Sequence, residues 1–316
     1  MRIFLSVVIP TYQQSEKTIQ LLDSIVLPKG IRSEILVVDD GSADQTKQIL
    51  RQYRRFRLKV MHHLKNRGVA AARNTGAKAA KGDILLFLDG DVQVFPDTLT
   101  QVVRTFQTQP GIGGVSGIVV LDKTSGGFFP RYKSLRTYCY WMIENTKHPN
   151  RQTLGNACFA VRRDIFEKVG GFNELFKGAS IEDNELGHRI VQYAPVIFNP
   201  RIKIAHTYES FWPMVQRYVK RSQLWTELFW RRRTFESAGM SRGETINGVV
   251  ASLTWIFPPF LILHFYLGRR FYGFVRQEEG WVFMVKCLGV QLFLYPLIYV
   301  VAAWTTVLFF GRRMVR

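Results

Sequence analysis

The chain has 316 residues, room for one large domain or one domain with an appendage, and its 47% hydrophobic content leaves a sizeable core in no doubt. Its formal charge of +19 is uneven: residues 1–200 hold 27 Lys+Arg against 18 Asp+Glu, and residues 201–316 hold 16 against 6. The more basic portion also carries the long apolar runs, which points to an anionic membrane before nucleic acid. Three cysteines, Cys139, Cys158 and Cys287, show no C-x-x-C spacing for zinc or a redox pair and read as reduced thiols.

The N-terminal apolar run passes into Pro10-Thr11-Tyr12 without a small-residue cleavage site, so Leu5 to Ile9 reads as a first strand and not a signal peptide. Ser15 to Val26 follows with Ile19, Leu22, Ile25 and Val26 at helical spacing. Ile35 to Val38 is a second strand, closed by Asp39, Asp40 and the turn residues Gly41-Ser42. A helix opens near Asp44, Leu58 to Met61 is a third strand, and an alanine-rich helix from Asn66 closes at Gly82. Ile84 to Val92 then reads as a strand buried on both faces, ending in Asp89-Gly90-Asp91. Alternating strands and helices predict an α/β fold with a mostly parallel sheet.

Aspartate and glycine are ordinary turn residues, so either acid pair alone fits turn chemistry. Two strands ending in acid pairs on one sheet edge, where ligands of such folds bind, point to a site. Asp89 and Asp91 suit a hard cation, Mn2+ or Mg2+, which would neutralise a diphosphate.

Residues 122–150 read as irregular and aromatic. Gly155-Asn156 leads into a strand that becomes a helix at Asp164, and a Gly170-Gly171 turn leads to Ile181-Glu182-Asp183. Ser180 to Asp183 has capping-box spacing, in which Asp183 closes a helix N-terminus; that position also keeps a carboxylate ionised. Glu182, Glu185 and Arg189 read as a solvated or ion-paired helix face. His206 follows a short strand and is either a metal ligand or a loop histidine.

From Phe211, the residues Val215, Tyr218, Trp225 and Phe229 share a stripe while Arg217, Lys220 and Arg221 fall elsewhere, the pattern of a basic interfacial helix continuing to Arg231-Arg232-Arg233. Gly248–Leu267 and Leu288–Phe310 carry no formal charge over 20 and 23 residues, and each is followed by Gly-Arg-Arg. Pro258-Pro259 and Pro296 predict kinks, compatible with a re-entrant segment in place of a straight span, and a segment opening at Trp281 overshoots one bilayer, which sets its early part at the interface. A helical hairpin is expected, although it sets Arg269, Arg270, Arg276 and Lys286 against the positive-inside tendency.

The stretches SVVIPTYQQSEKTIQLLDSI, EILVVDDGSADQT, NRGVAAARNTGAKAAKGDILLFLDGDV, LGNACFAVRRDIFEKVGGFNE and IEDNELGHRI resemble, in order and spacing, the motifs of family-2 glycosyltransferases over residues 3–206. The resemblance implies a GT-A catalytic domain over 1–207, and the amphipathic and apolar patterns beyond it predict interfacial helices over 208–245 and a transmembrane region over 246–316. The resemblance also implies that Pro10 and Tyr12 line a base pocket, that Asp40 reads a pyrimidine N–H, and that Asp39 sits beside it or caps the turn. Asp89 then lies by the ribose and metal, Asp91 and in some relatives His206 hold the metal, and Arg73 and Asn74 lie near the donor. Arg73 meets a phosphate unless it is an exposed helix arginine. Asp183 is the implied base of an inverting transfer.

Processive relatives carry Gln-x-x-Arg-Trp; Gln223-Leu224-Trp225 lacks that arginine, which argues against processive synthesis. The expected partners are a nucleoside-diphosphate sugar, with a UDP-sugar as the expected donor, a hydroxyl of a lipid or lipid-linked glycan, and an anionic inner or plasma membrane, with the catalytic domain cytoplasmic and no nucleic acid bound. The alternatives are transfer to polyprenyl phosphate, which needs no base, or a non-catalytic sugar-nucleotide binding subunit.

Overall fold

The computed structural model describes residues 3–122, 126–145, 150–151, 154–155, 157–175, 181–232 and 242–314. The chain divides into two compact units, Met1–Asp122 with Tyr140–Thr207, and Lys123–Cys139 with Tyr208–Arg316. The expected alternation opens the first: β1 (Phe4–Thr11), α1 (Ser15–Ser24), β2 (Arg32–Asp39), α2 (Thr46–Gln52), β3 (Leu58–His62), α3 (Val69–Ala79) and β4 (Ile84–Leu88). After β5 (Val92–Val94), α4 (Thr98–Thr108) and β6 (Gly114–Val119) comes α5 (Phe128–Asn145), which begins in the second unit and ends in the first. β7 (Asn150–Arg151), β8 (Cys158–Arg162), α6 (Arg163–Lys168), α7 (Glu182–Ile190) and β9 (Val196–His206) complete the first unit.

Its strands form one sheet in the order β3-β2-β1-β4-β8-β6-β9-β5, with β7 paired to β9. β3, β2, β1 and β4 are parallel; β8 runs antiparallel between β4 and β6. All five β4 residues are buried, as a continuous apolar run requires when helices cover both sheet faces. On one face Phe87 packs against Phe159, Phe166 and Phe172, with ring centroids 5.2–5.5 Å apart.

The stretch expected to be irregular contains α5. Its aromatic residues are middling helix formers, and Pro130 sits in the first turn, where its missing N–H costs nothing. Packing stabilises the helix instead: Phe128 lies 4.7 Å from Phe283 and Tyr132 meets Phe271 edge-on.

The second unit continues with α8 (Phe211–Arg232), α9 (Arg242–Leu253), α10 (Phe260–Leu267) and α11 (Arg269–Met314). The run Gly248–Leu267 is not one continuous helix. Turns over residues 254–259, which include Pro258-Pro259, separate α9 from α10, and the eight residues of α10 rise only about 12 Å against a hydrocarbon core of about 30 Å.

Arg269–Gly311 is the one helix among the described residues long and apolar enough to cross a bilayer. It breaks at Gly280, where φ is 82°, so that Trp281 does open the second segment; Pro296 lies within helical backbone. Ile256, Ile262, Val282, Val300 and Trp304 are largely exposed, more apolar surface than a soluble helix normally leaves in water. Arg233 and Ser180 lie outside the described residues, as does Asn156.

Candidate active site

Parallel pairing of β1 with both β2 and β4 sets three carboxyl ends side by side. The chain builds β1, β2 and β3 to one side and then returns to lay β4 on the other, so the connections diverge between β1 and β4 and leave the crevice where such sheets bind ligands. Pro10 and the 42% exposed Tyr12 lie at the end of β1, Asp39 and Asp40 at that of β2, and Asp89 and Asp91 beyond β4. A Cβ on Gly90 would stand 2.5 Å from Gln14 Nε2 and 2.8 Å from the Pro10 carbonyl oxygen, so only glycine lets the D-x-D turn come this near β1.

Asp39 and Asp40 are both buried, in different company. Asp39 accepts from the Ser42 amide at 3.1 Å, a turn cap, and meets His62 Nδ1 at 3.0 Å. Asp40 accepts from the amides of Arg67 at 2.9 Å and Gly68 at 2.7 Å and meets His63 Nδ1 at 2.6 Å, while His63 Nε2 continues to Thr75 Oγ1 at 2.9 Å. It therefore clamps the N-terminus of α3, where negative charge is favoured. These bonds fill three of about four acceptor directions on the carboxylate. Neither histidine stood out in the sequence; their signal is register, since β2–β3 pairing sets His62 opposite Asp39.

Arg73 is not an exposed helix arginine. It is 2% exposed, with Nη2 donating to Asp89 Oδ1 at 2.5 Å and Nη1 to Glu182 Oε1 at 2.8 Å. Its guanidinium lies 5.6 and 5.3 Å from the ring centroids of Phe159 and Phe172. Burial pulls its pKa down, but Asp89, Glu182 and Asp183 more than reverse this and hold it above its ordinary value. One side chain thus joins the D-x-D turn to the Glu-Asp pair, with two nitrogens committed to carboxylates instead of a phosphate. Asn74, next along, exchanges bonds with the Phe172 backbone at 2.8 and 2.9 Å and holds that loop.

Asp183 occupies the second position of α7, whose cap is Ile181, one place off the register that a capping box from Ser180 requires. Its carboxylate accepts from the Asn184 amide at 2.8 Å and Asn184 Nδ2 at 2.9 Å. Glu182 and Glu185 are buried rather than solvated: Glu182 is held by Arg73, and Glu185 is held by Arg189 at 2.7 Å. Arg189 also donates to the Gly171 carbonyl at 2.7 Å, fixing the preceding turn.

His206, the last residue of β9, pairs with Val92 of β5, which brings its Nε2 to 3.5 Å from Asp91 Oδ2. The three expected ligands do not form one cage, since Asp89 turns to Arg73, and no group of three or more His, Cys, Asp or Glu gathers about one point among the described residues. The Asp91–His206 pair does fit a divalent ion. Ligands at about 2.1 Å in adjacent octahedral positions lie about 3 Å apart, and such ions take one or two protein ligands and fill the rest with phosphate oxygens and water. Cys158 is free and buried, and burial together with nearby Asp89 pushes its thiol well above the ordinary range, which disfavours the thiolate.

The sequence model of glycosyl transferase family 2 matches residues 6–170. An uncharacterized glycosyltransferase of Haemophilus influenzae is 27% identical over 229 residues, 71% of each chain. The dolichol-phosphate mannosyltransferase of Pyrococcus furiosus is 28% identical over 190 residues, 59% of this chain and half of that one. Among solved structures, the mannosyltransferase PcManGT from Pyrobaculum calidifontis in complex with GDP-Man and Mn2+ shares the fold at a TM-score of 0.60 and 18% identity, over 97% of this chain and 87% of that one.

Proposed function

The chain belongs to glycosyltransferase family 2 and is a glycosyltransferase, and on that footing we propose an inverting transfer of a sugar from a uridine-diphosphate donor to a hydroxyl of a membrane lipid or lipid-linked glycan. The observation that carries this reading is the Arg73 guanidinium held between Asp89 and Glu182, which brings the donor-side turn and the neighbour of Asp183 to one point. Pro10 and Tyr12 flank the base, and the acceptor direction left on Asp40 takes the uracil N–H. Asp89 lies beside the ribose. Asp91 and His206 would hold Mn2+ or Mg2+, which when bound neutralises the charge of the diphosphate. Asp183, in the first turn of α7 and within reach of the Arg73 charge, takes the proton from the acceptor hydroxyl.

The lipid acceptor and the ion draw support from the dolichol-phosphate relative and from the Mn2+ of the Pyrobaculum complex. In this reading residues 1–207 carry the chemistry on the cytoplasmic side, and residues 208–316 attach it to the membrane through the basic amphipathic α8 and the long apolar α11. Asp183→Asn tests the role of the base. Transfer should fall by at least about 100-fold while calorimetric donor affinity stays near wild type; unchanged transfer would sink the reading. A panel of UDP-, GDP- and dTDP-sugars, followed by donor hydrolysis, tests the base preference.

A further inference from the structure

Within the second unit, cations converge on one phenol. From α5, Lys133 Nζ donates to Tyr218 Oη at 2.8 Å and Arg136 Nη1 donates to the same oxygen at 3.0 Å. Lys133 also stands 4.6 Å from the Tyr218 ring centroid. Arg221, one turn along α8, acts electrostatically on both Lys133 and Tyr218. Arg221, which falls off the apolar stripe of α8, is half-buried.

Among the described residues the ion pairing of these cations is sparse: Glu244 of α9 stands 3.9 Å from Arg136, and the neighbouring Glu279 is held by Arg131. At this cluster two buried polar atoms, Arg221 Nε and the hydroxyl of the fully buried Tyr132, have no hydrogen-bond partner among the described residues. Like charges held together out of water repel and lose hydration, and an unbonded buried N–H adds to the cost. Such a set is tolerable where an anion joins it. Two guanidiniums, an ammonium and a free hydroxyl match a tetrahedral oxyanion with several acceptor oxygens better than a flat carboxylate.

We infer that Lys133, Arg136 and Arg221, gathered about Tyr218, form a binding site for a phosphate or diphosphate group, whether borne by a lipid or free. The state of Tyr218 agrees. Burial alone would raise its pKa, but Lys133, then Arg136 and Arg221, bring it down to about 8, so the surrounding cations favour negative charge at this point. A bound phosphate offsets those cations and returns the phenol towards its ordinary value. The inference concerns binding in the second unit and does not depend on the role of Asp183.

The test uses the full chain in neutral detergent, with UDP present to fill the donor crevice. Inorganic phosphate and a short-chain prenyl phosphate are titrated calorimetrically, and the ultraviolet signal of tyrosinate is followed against pH with and without each. Binding and an upward shift of the Tyr218 midpoint are expected, with affinity weakened on the order of 10-fold or more in each of Arg136→Gln and Arg221→Gln. Tighter binding of the prenyl phosphate identifies a lipid headgroup, and equal binding identifies the phosphate group alone; both support the site. No binding of either probe by the wild type, no shift of the Tyr218 titration, or wild-type affinity in folded variants would overturn it. Should a variant fail to fold, the wild-type titration alone decides.

Discussion

Arg73 shows how one buried charge organises a site. Removing it leaves Asp89 and Glu182 facing one another without a counter-ion, and breaking such a pair costs about 3–5 kcal/mol, towards the lower figure here because the Asp89 side chain is 30% exposed. Arg73→Met should therefore lower the thermal midpoint by several degrees and reduce kcat together with stability. Arg73→Lys should recover only part of both, because an ammonium lacks the planar fork that reaches two carboxylates. A variant as stable as wild type would show that this guanidinium holds nothing in place. His206 offers a separate test. If it and Asp91 share an ion, His206→Ala should raise the Mn2+ concentration for half-maximal activity on the order of 10-fold, with activity restored at saturating metal. A loop histidine would leave the metal titration unmoved.

Among the elements, α5 and α11 depart most from their local sequence. α5 contains aromatic residues and a proline in eighteen positions yet forms a helix, because tertiary packing of Phe128 and Tyr132 outweighs a weak propensity. α11 is interrupted at Gly280 for a backbone reason alone: φ is 82°, and nothing lies within 4 Å of a Cβ built there. Gly280→Ala should then cost about 1–3 kcal/mol, the penalty of an L side chain at φ 82° and ψ 179°, a region essentially reserved for glycine. Thermal unfolding in detergent measures it, and a stabilised variant would mean that the joint straightens without loss. The turns over residues 254–259 act oppositely, since the prolines there remove donors and stop α9 from running into α10.

For the whole molecule, the two units do not follow a single cut of the chain. The part of α5 up to Cys139 belongs with residues 208–316, so a protein ending at Thr207 would leave Tyr132 and Leu135, both fully buried, without their packing partners. Such a truncation should aggregate unless detergent is present, and size-exclusion chromatography of residues 1–207 checks this; a clean monomer in plain buffer would count against it. Local pattern was enough to predict the strand–helix alternation, the acid pairs at strand ends, the family motifs and the apolar tail, because periodicity and turn chemistry are written over a few neighbouring residues. What the three-dimensional fold alone decided were contacts across the chain: Arg73 meets Glu182 across 109 positions, Asp40 clamps α3 through Gly68 across 28, and Lys133 meets Tyr218 across 85. A side chain turned inward to a partner so far along the sequence carries the same local signature as one turned to water, and only the packing of elements separates them.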